Sequence, residues 1–358
     1  KAASTLAYQG LAYIYMKRFK EAEDLLNEAE ERAEATDDTE VLLETRGIQI
    51  YLENARYNYY RGAEILQAVL NSHEKLDEGE KTSLSPWLLW ARIAGAKSLL
   101  KLGKVNQALL LNQAALRAAN LTNDRFFRAF ALLGIGHALD LVDQVKESLK
   151  IYSKSLKLAK AVHANNLVSI IYNRVGMAMS WRLNDLNEGQ SAFRKAIEYS
   201  DQGEGAWLKE GPMWNLVAAY QAKGEYSSAI ETIQELAFNA RLIGDSRTEL
   251  IATLNLAQLL EETGDKSEAQ KVRDAGESLA SILGINISDF QNGDSADEEG
   301  MEEEEDDLSQ EGSPEEDESE YVSLGENPDD SNVIEFNIDL GPEDDDEPKD
   351  LEEDPGSK

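Results

Sequence analysis

One period dominates this chain. A small residue returns at Ala22, Gly62, Ala108, Ser148, Gly189, Ala229 and Ala269, at intervals of 40, 46, 40, 41, 40 and 40. The neighbourhood of each anchor is similar. In Phe19-Lys-Glu-Ala22-Glu-Asp-Leu-Leu26-Asn-Glu-Ala29 and in Tyr226-Ser-Ser-Ala229-Ile-Glu-Thr-Ile233-Gln-Glu-Leu236, an apolar residue stands three before the anchor. Another stands four after it and a small or apolar one seven after, which places all of them on one side of an α-helix. A unit this short cannot bury its apolar face alone, so the fold must be an array in which each unit covers its neighbours.

Upstream of the anchors runs a second apolar-periodic segment, often holding a glycine: Gly10, Gly47, Gly95, Gly136, Gly176. Turn signals separate the two segments at Leu102-Gly103-Lys104, Asn184-Asp185, Lys223-Gly224-Glu225 and Thr263-Gly264-Asp265. Each unit therefore reads helix, short turn, helix, and strand signals are nearly absent from this part of the chain. The 46-residue interval contains the loop Asp77-Glu-Gly-Glu-Lys-Thr-Ser-Leu-Ser-Pro86. The expected fold is an all-α solenoid of about seven helix-turn-helix units, with a long surface rather than an enclosed pocket.

The phrase Trp214-Asn215-Leu216-Val-Ala-Ala-Tyr220, followed by Gly224, Tyr226, Ala229 and Ile233, resembles a tetratricopeptide repeat (TPR), as does Gly10-Leu-Ala-Tyr13 followed by Phe19, Ala22, Leu26 and Ala29. The resemblance covers residues 1–284. The period is 40 rather than the ~34 of the commonest form, and the helix-ending proline of that form is missing. Long repeats like these are similar to those of kinesin light chains and of the ligand-sensing superhelical domain of the bacterial maltose regulator. The resemblance implies a right-handed solenoid whose first helices line a concave groove, where an Asn or Arg grips extended peptide. The matching positions are Arg174, Asn215 and Asn255, with Asn173 and Gln258 nearby. An Asn amide offers a donor and an acceptor to a peptide unit, and an Arg can fork onto a carboxylate. In the first four repeats the position holds Tyr8, Thr45, Ala94 and Gly134, so the gripping ladder is expected only in the C-terminal half.

Charge divides the chain again. Residues 285–358 carry 31 Asp/Glu against two Lys, a net of −29, and five of the seven prolines. Such a tail cannot repay the entropy of ordering and is expected to be disordered. One island, Val333-Ile-Glu-Phe336-Asn-Ile338-Asp-Leu340, alternates apolar and polar residues and reads as a docking strand. Residues 81–184 hold 15 Lys/Arg and 4 Asp/Glu, a net of +11, between flanks (1–80 and 185–284) of −8 each. Lys97 and Lys101 sit one turn apart on a first helix, while Lys146, Lys150, Lys154 and Lys157 form a stripe on a second helix. Such a stripe is usually a solvated outer face. The positive band is suited to an acidic protein or peptide partner, including the chain's own tail. Nucleic acid is not expected, given the anionic whole and the lack of any recognised binding motif.

There is no cysteine, which excludes disulfides, thiolate metal sites and cysteine nucleophiles. No stretch reaches the ~18 apolar residues of a membrane span and no signal peptide opens the chain, so a soluble cytoplasmic protein is expected. The chain begins at Lys1 within a helical pattern, which points to excision from something longer. His73, His137 and His163 fall in different repeats with no nucleophile, phosphate loop or metal partner near them in sequence. The expectation is therefore a non-enzymatic scaffold without a cofactor. The alternatives are the ligand-sensing module of a larger transcriptional regulator, or a chaperone for basic proteins that works through its tail.

Overall fold

The structure, a computed structural model, describes residues 2–76, 79, 81, 85–203 and 206–287. All of them belong to one compact unit, residues 1–323. The expected disorder of the acidic region and the docking strand at 333–340 lie outside the described residues.

The described chain is a right-handed solenoid of seven antiparallel helix pairs. In order these are α1 (Ala2–Tyr15) with α2 (Phe19–Ala35), α3 (Thr39–Ala55) with α4 (Tyr59–Glu74), and α5 (Leu89–Lys101) with α6 (Val105–Leu121). They continue as α7 (Arg125–Leu141) with α8 (Val145–Ala161), α9 (Asn165–Met177) with α10 (Leu186–Gln202), α11 (Glu210–Lys223) with α12 (Tyr226–Ile243), and α13 (Ser246–Glu262) with α14 (Lys266–Leu283). No helix among the described residues is long and apolar enough to cross a membrane.

The turns follow one rule. Inside every pair one residue takes a left-handed conformation, in order Lys17, Tyr57, Gly103, Asp143, Asn184, Gly224 and Gly264, with φ between 55° and 94°. A left-handed residue just past a helix lets the next amides turn back onto the last free carbonyls. The following helix is then often started by an aspartate: Asp38, Asp124, Asp185, Asp245 and Asp265 each accept from the backbone N–H three residues on.

All seven anchor residues are buried. Four residues after them come Leu26, Leu66, Asn112, Tyr152, Phe193 and Ile233, each at most 1 % exposed. Tyr152 and Phe193 fit because the facing first helix presents glycine. A Cβ on Gly136 would stand 2.6 Å from the Tyr152 ring, and one on Gly176 would stand 2.5 Å from the Phe193 ring. Burying a ring of this size stabilises the fold by about 2–3 kcal/mol.

The two irregular intervals have separate structural causes. The 46-residue interval spends its extra residues on the connection between α4 and α5. The 41-residue interval holds a single extra residue, and α9 absorbs it by closing as a π-turn over Ala178–Arg182. The array also returns on itself. Lys17, in the first turn, bonds Glu210 at 2.8 Å and also bonds Asp245, 193 and 228 residues away. Thr248 shares its hydroxyl between the same two carboxylates. The first repeat is thereby pinned to the sixth and seventh.

Candidate functional site

The first helices face one another across the inside of this turn, and their aromatic side chains form a seam. Tyr15 of α1 meets Tyr51 of α3 edge-on at 6.0 Å between ring centres, and Tyr51 meets Trp90 of α5 at 6.2 Å. Trp90 in turn contacts Phe126, Phe127 and Phe130 of α7 at 5.3–6.4 Å. Beside the seam lies a recess of about 370 Å³. Its lining includes Tyr15, Tyr51, Phe126 and Phe130, Asn165 and Asn166 at the start of α9, and Gly203 and Leu208 before α11. The sequence predicts an open surface without such a recess. Lys17 and Glu210, each two residues from a lining residue, form the ion pair that joins the first repeat to the sixth.

Tyr51 joins the recess to a second region. Lys97 Nζ of α5 sits 6.0 Å from the centre of the Tyr51 ring, and Lys101 Nζ, one turn on, sits 5.8 Å from the Tyr59 ring. His137 of α7 lies two turns beyond Phe130, about 10 Å along the helix, and Arg174 of α9 lies one turn beyond Ile170, which lines the recess. These cations act on one another. Lys97 is reached by water but crowded by protein, and that crowding, with Arg174 and Lys101 adding to it, lowers its pKa to about 8. Burial, then Arg174, Lys101 and Lys97, hold the His137 imidazole near a pKa of about 3, so it is neutral at pH 7. Asp140 is the nearest acid on α7. Burial raises its pKa although Arg182 of the π-turn lies 3.8 Å away. Arg182 also bonds Asp143, so that pair ties repeat five to repeat four. Among the described residues, no carboxylate forms an ion pair with Lys97, Lys101 or Arg174.

The residues expected to grip a ligand divide into two groups. The charges of Arg174 and Lys101 act on Lys97, and all three act on His137. Asn215 of α11 donates to Asn173 Oδ1 of α9 at 2.9 Å, so these two amides form a pair between adjacent first helices. Asn255 instead donates to its own helix at Ile251 O, and Gln258 donates to Glu262. The matching positions Thr45 and Ala94 are 0 % and 2 % exposed and belong to the core. The lysine stripe at 146, 150, 154 and 157 lies exposed along α8, with Lys150 paired to Glu147. Trp90 and Trp214 pack against the core, whereas Trp181 in the π-turn is 43 % exposed. Sequence reasoning missed the aromatic seam and Asn166. The available signal was the placement of Tyr15, Tyr51, Phe126 and Phe130 on successive first helices. No cluster of three or more potential metal ligands occurs among the described residues.

No family model matches the sequence and no curated protein matches it. Solved structures match by shape. A Rap protein complexed with Competence and Sporulation Factor is 15 % identical, with a TM-score of 0.54 over 78 % of this chain and 77 % of that one. Aspartyl phosphate phosphatase F from Bacillus subtilis is 15 % identical, with a TM-score of 0.52 over 84 % and 80 %. The apo form of RapI is 13 % identical, with a TM-score of 0.50 over 79 % and 99 %. The chain thus has the all-α helical-repeat fold that TPR and Rap proteins share.

Proposed function

We propose that this chain is an interaction scaffold, not a catalyst, that takes an acidic, extended polypeptide segment along the inner face of its superhelix. The carrying observation is that Lys97, Lys101 and Arg174, from α5 and α9, act on one another and that none of them forms an ion pair among the described residues, Asp140 acting on Arg174 only at longer range. Some cations elsewhere in the fold, Lys17, Arg46, Arg56 and Arg182 among them, are paired with carboxylates. Like charges held together destabilise the free protein, and an arriving carboxylate relieves that cost. The Asn173–Asn215 pair beside Arg174 supplies amide groups of the kind that bond a peptide backbone. The Rap protein complexed with Competence and Sporulation Factor adds a precedent for binding on this kind of fold.

The acidic residues 285–358 would act as a tethered competitor at ~mM effective concentration, admitting only partners that outbid them. The chaperone alternative rests on that region alone. The ligand-sensing alternative is favoured by the recess.

The test is fluorescence polarisation of the chain with residues 285–358 removed, which takes away the tethered competitor, against a labelled peptide of residues 297–307, whose sequence is DEEGMEEEEDD. Binding should fall about tenfold or more in the Lys97→Glu, Arg174→Glu double variant, and should weaken steeply between about 0.05 and 0.3 M salt as screening shortens. Equal binding by the wild type and the double variant would sink the reading.

A further inference from the structure

We infer that Lys97 is a nucleophilic amine and a site of N-acylation by small acyl phosphates. The inference uses cations of the peptide reading but no peptide, so it stands or falls without one.

The placement of Lys97 carries it. Within residues 95–100 of α5 every other residue is buried, and Lys97 alone is exposed to solvent. It forms no ion pair among the described residues, and its Nζ lies 6.0 Å from the centre of the Tyr51 ring. Nothing there holds the proton on. Lys101 stands one turn further along α5, and Arg174 of α9 is near enough for its charge to act on Lys97. Crowding by protein, then Arg174 and Lys101, disfavour the ammonium form, in keeping with a pKa of about 8.

The size of the effect can be set out. At pH 7.5 about a quarter of such an amine is free, against about 0.1 % at the ordinary 10.5. A weaker base is also a weaker nucleophile, and a Brønsted slope of about 0.4–0.5, as for thiols, takes back roughly ten- to twentyfold of that gain. About a tenfold advantage over an ordinary lysine remains.

The same cations select the donor. An acyl phosphate carries its negative charge on the leaving group, so Arg174 and Lys101 both attract the reagent and stabilise the departing phosphate. An uncharged acyl donor gains neither effect. The lone pair of free Nζ attacks the acyl carbon, and the bond from that carbon to the bridging oxygen breaks. Inorganic phosphate leaves with the electron pair, and the nitrogen gives one proton to water. An uncharged amide replaces the ammonium, and the cluster loses one of its three charges.

The experiment is limited acetylation by acetyl phosphate at pH 7.5, read lysine by lysine by mass spectrometry of peptides. It uses the chain with residues 285–358 removed, since all seven helix pairs lie before that point. Lys154 of α8, exposed and in no ion pair among the described residues, is the internal reference. Lys97 should react about tenfold faster than Lys154. Its rate should level off above about pH 8, where an ordinary lysine is still mostly protonated. Arg174→Gln and Lys101→Gln should each narrow the ratio about threefold; having both guards against one failing to fold. With N-acetoxysuccinimide, an uncharged donor, the ratio should be smaller than with acetyl phosphate. Equal rates at Lys97 and Lys154 overturn the inference, as does a ratio that neither variant changes. A ratio just as large with the uncharged donor overturns the assignment of acyl phosphates. None of these readouts involves the acidic peptide, so failure here is told apart from failure of the peptide reading.

Discussion

Lys97 bears a charge where the fold would prefer none. Its pKa of about 8 lies below the ordinary 10.5, so the folded chain releases this proton more readily than the unfolded one. The resulting destabilisation is present in full below about pH 8 and is relieved as pH rises towards 10.5. Lys97→Met should therefore melt at the same or a higher temperature than wild type at pH 7, and the gap should close by pH 10. The same variant should bind the acidic probe less well, the pattern expected when stability is given up for binding. His137 runs the other way in pH. Its folded pKa of about 3 lies below the unfolded 6.5, so the unfolded chain takes up the proton first. Stability from this group is intact above about pH 6.5 and falls as pH drops towards 3. In denaturant titrations across that window, His137→Gln should lose less stability than wild type. If the two slopes are equal, His137 is not the group responsible.

At the scale of the element, the glycines of the first helices matter more than helix propensity suggests. Glycine to alanine inside a helix normally gains about 1 kcal/mol. Gly176→Ala should instead lose about 1–3 kcal/mol, because its methyl would meet the Phe193 ring at 2.5 Å. Urea unfolding reads the sign directly, and a gain would show that the two helices can move apart freely. The π-turn over Ala178–Arg182 follows from the same tight packing. One inserted residue could not shift the register of α9 against α10 without unseating Gly176 from Phe193. It was taken up beyond the contact, and it now directs Arg182 towards Asp143 and leaves Trp181 exposed.

For the whole molecule, the decisive contact is Lys17 with Glu210 and Asp245. Burial alone would lower the Lys17 pKa, but the two carboxylates reverse this and raise it, while Lys17 and Thr248 hold Asp245 below its ordinary value. The Asp245 contribution is therefore present above about pH 4 and is lost as pH falls through its depressed pKa. A repeat array has mainly neighbour contacts, so one long-range ion pair has unusual leverage over its curvature. Lys17→Met should cost only about 1 kcal/mol of stability. It should nevertheless enlarge the radius of gyration measured by small-angle scattering. An unchanged scattering curve would mean that curvature is set by the helix interfaces alone.

The sequence by itself determined the repeat. Its period, the small anchors and the turn glycines at Gly103, Gly224 and Gly264 are local choices, the anchors returning about every 40 residues, and so legible without coordinates. Lys97, Lys101 and Arg174 were also legible, as charges on first helices in a basic band. The meeting of repeat one with repeats six and seven was not, because it depends on small rotations summed over every interface. Tyr15, Tyr51, Phe126 and Phe130 look like ordinary core residues in the sequence, and only their convergence makes them the lining of one recess. Asn255 went the other way. It has the residue type and register of a gripping amide, and its side chain donates to the Ile251 carbonyl of its own helix, a bond no residue pattern announces. What is periodic can be read along the chain, and what depends on closure appears only once the array has curved.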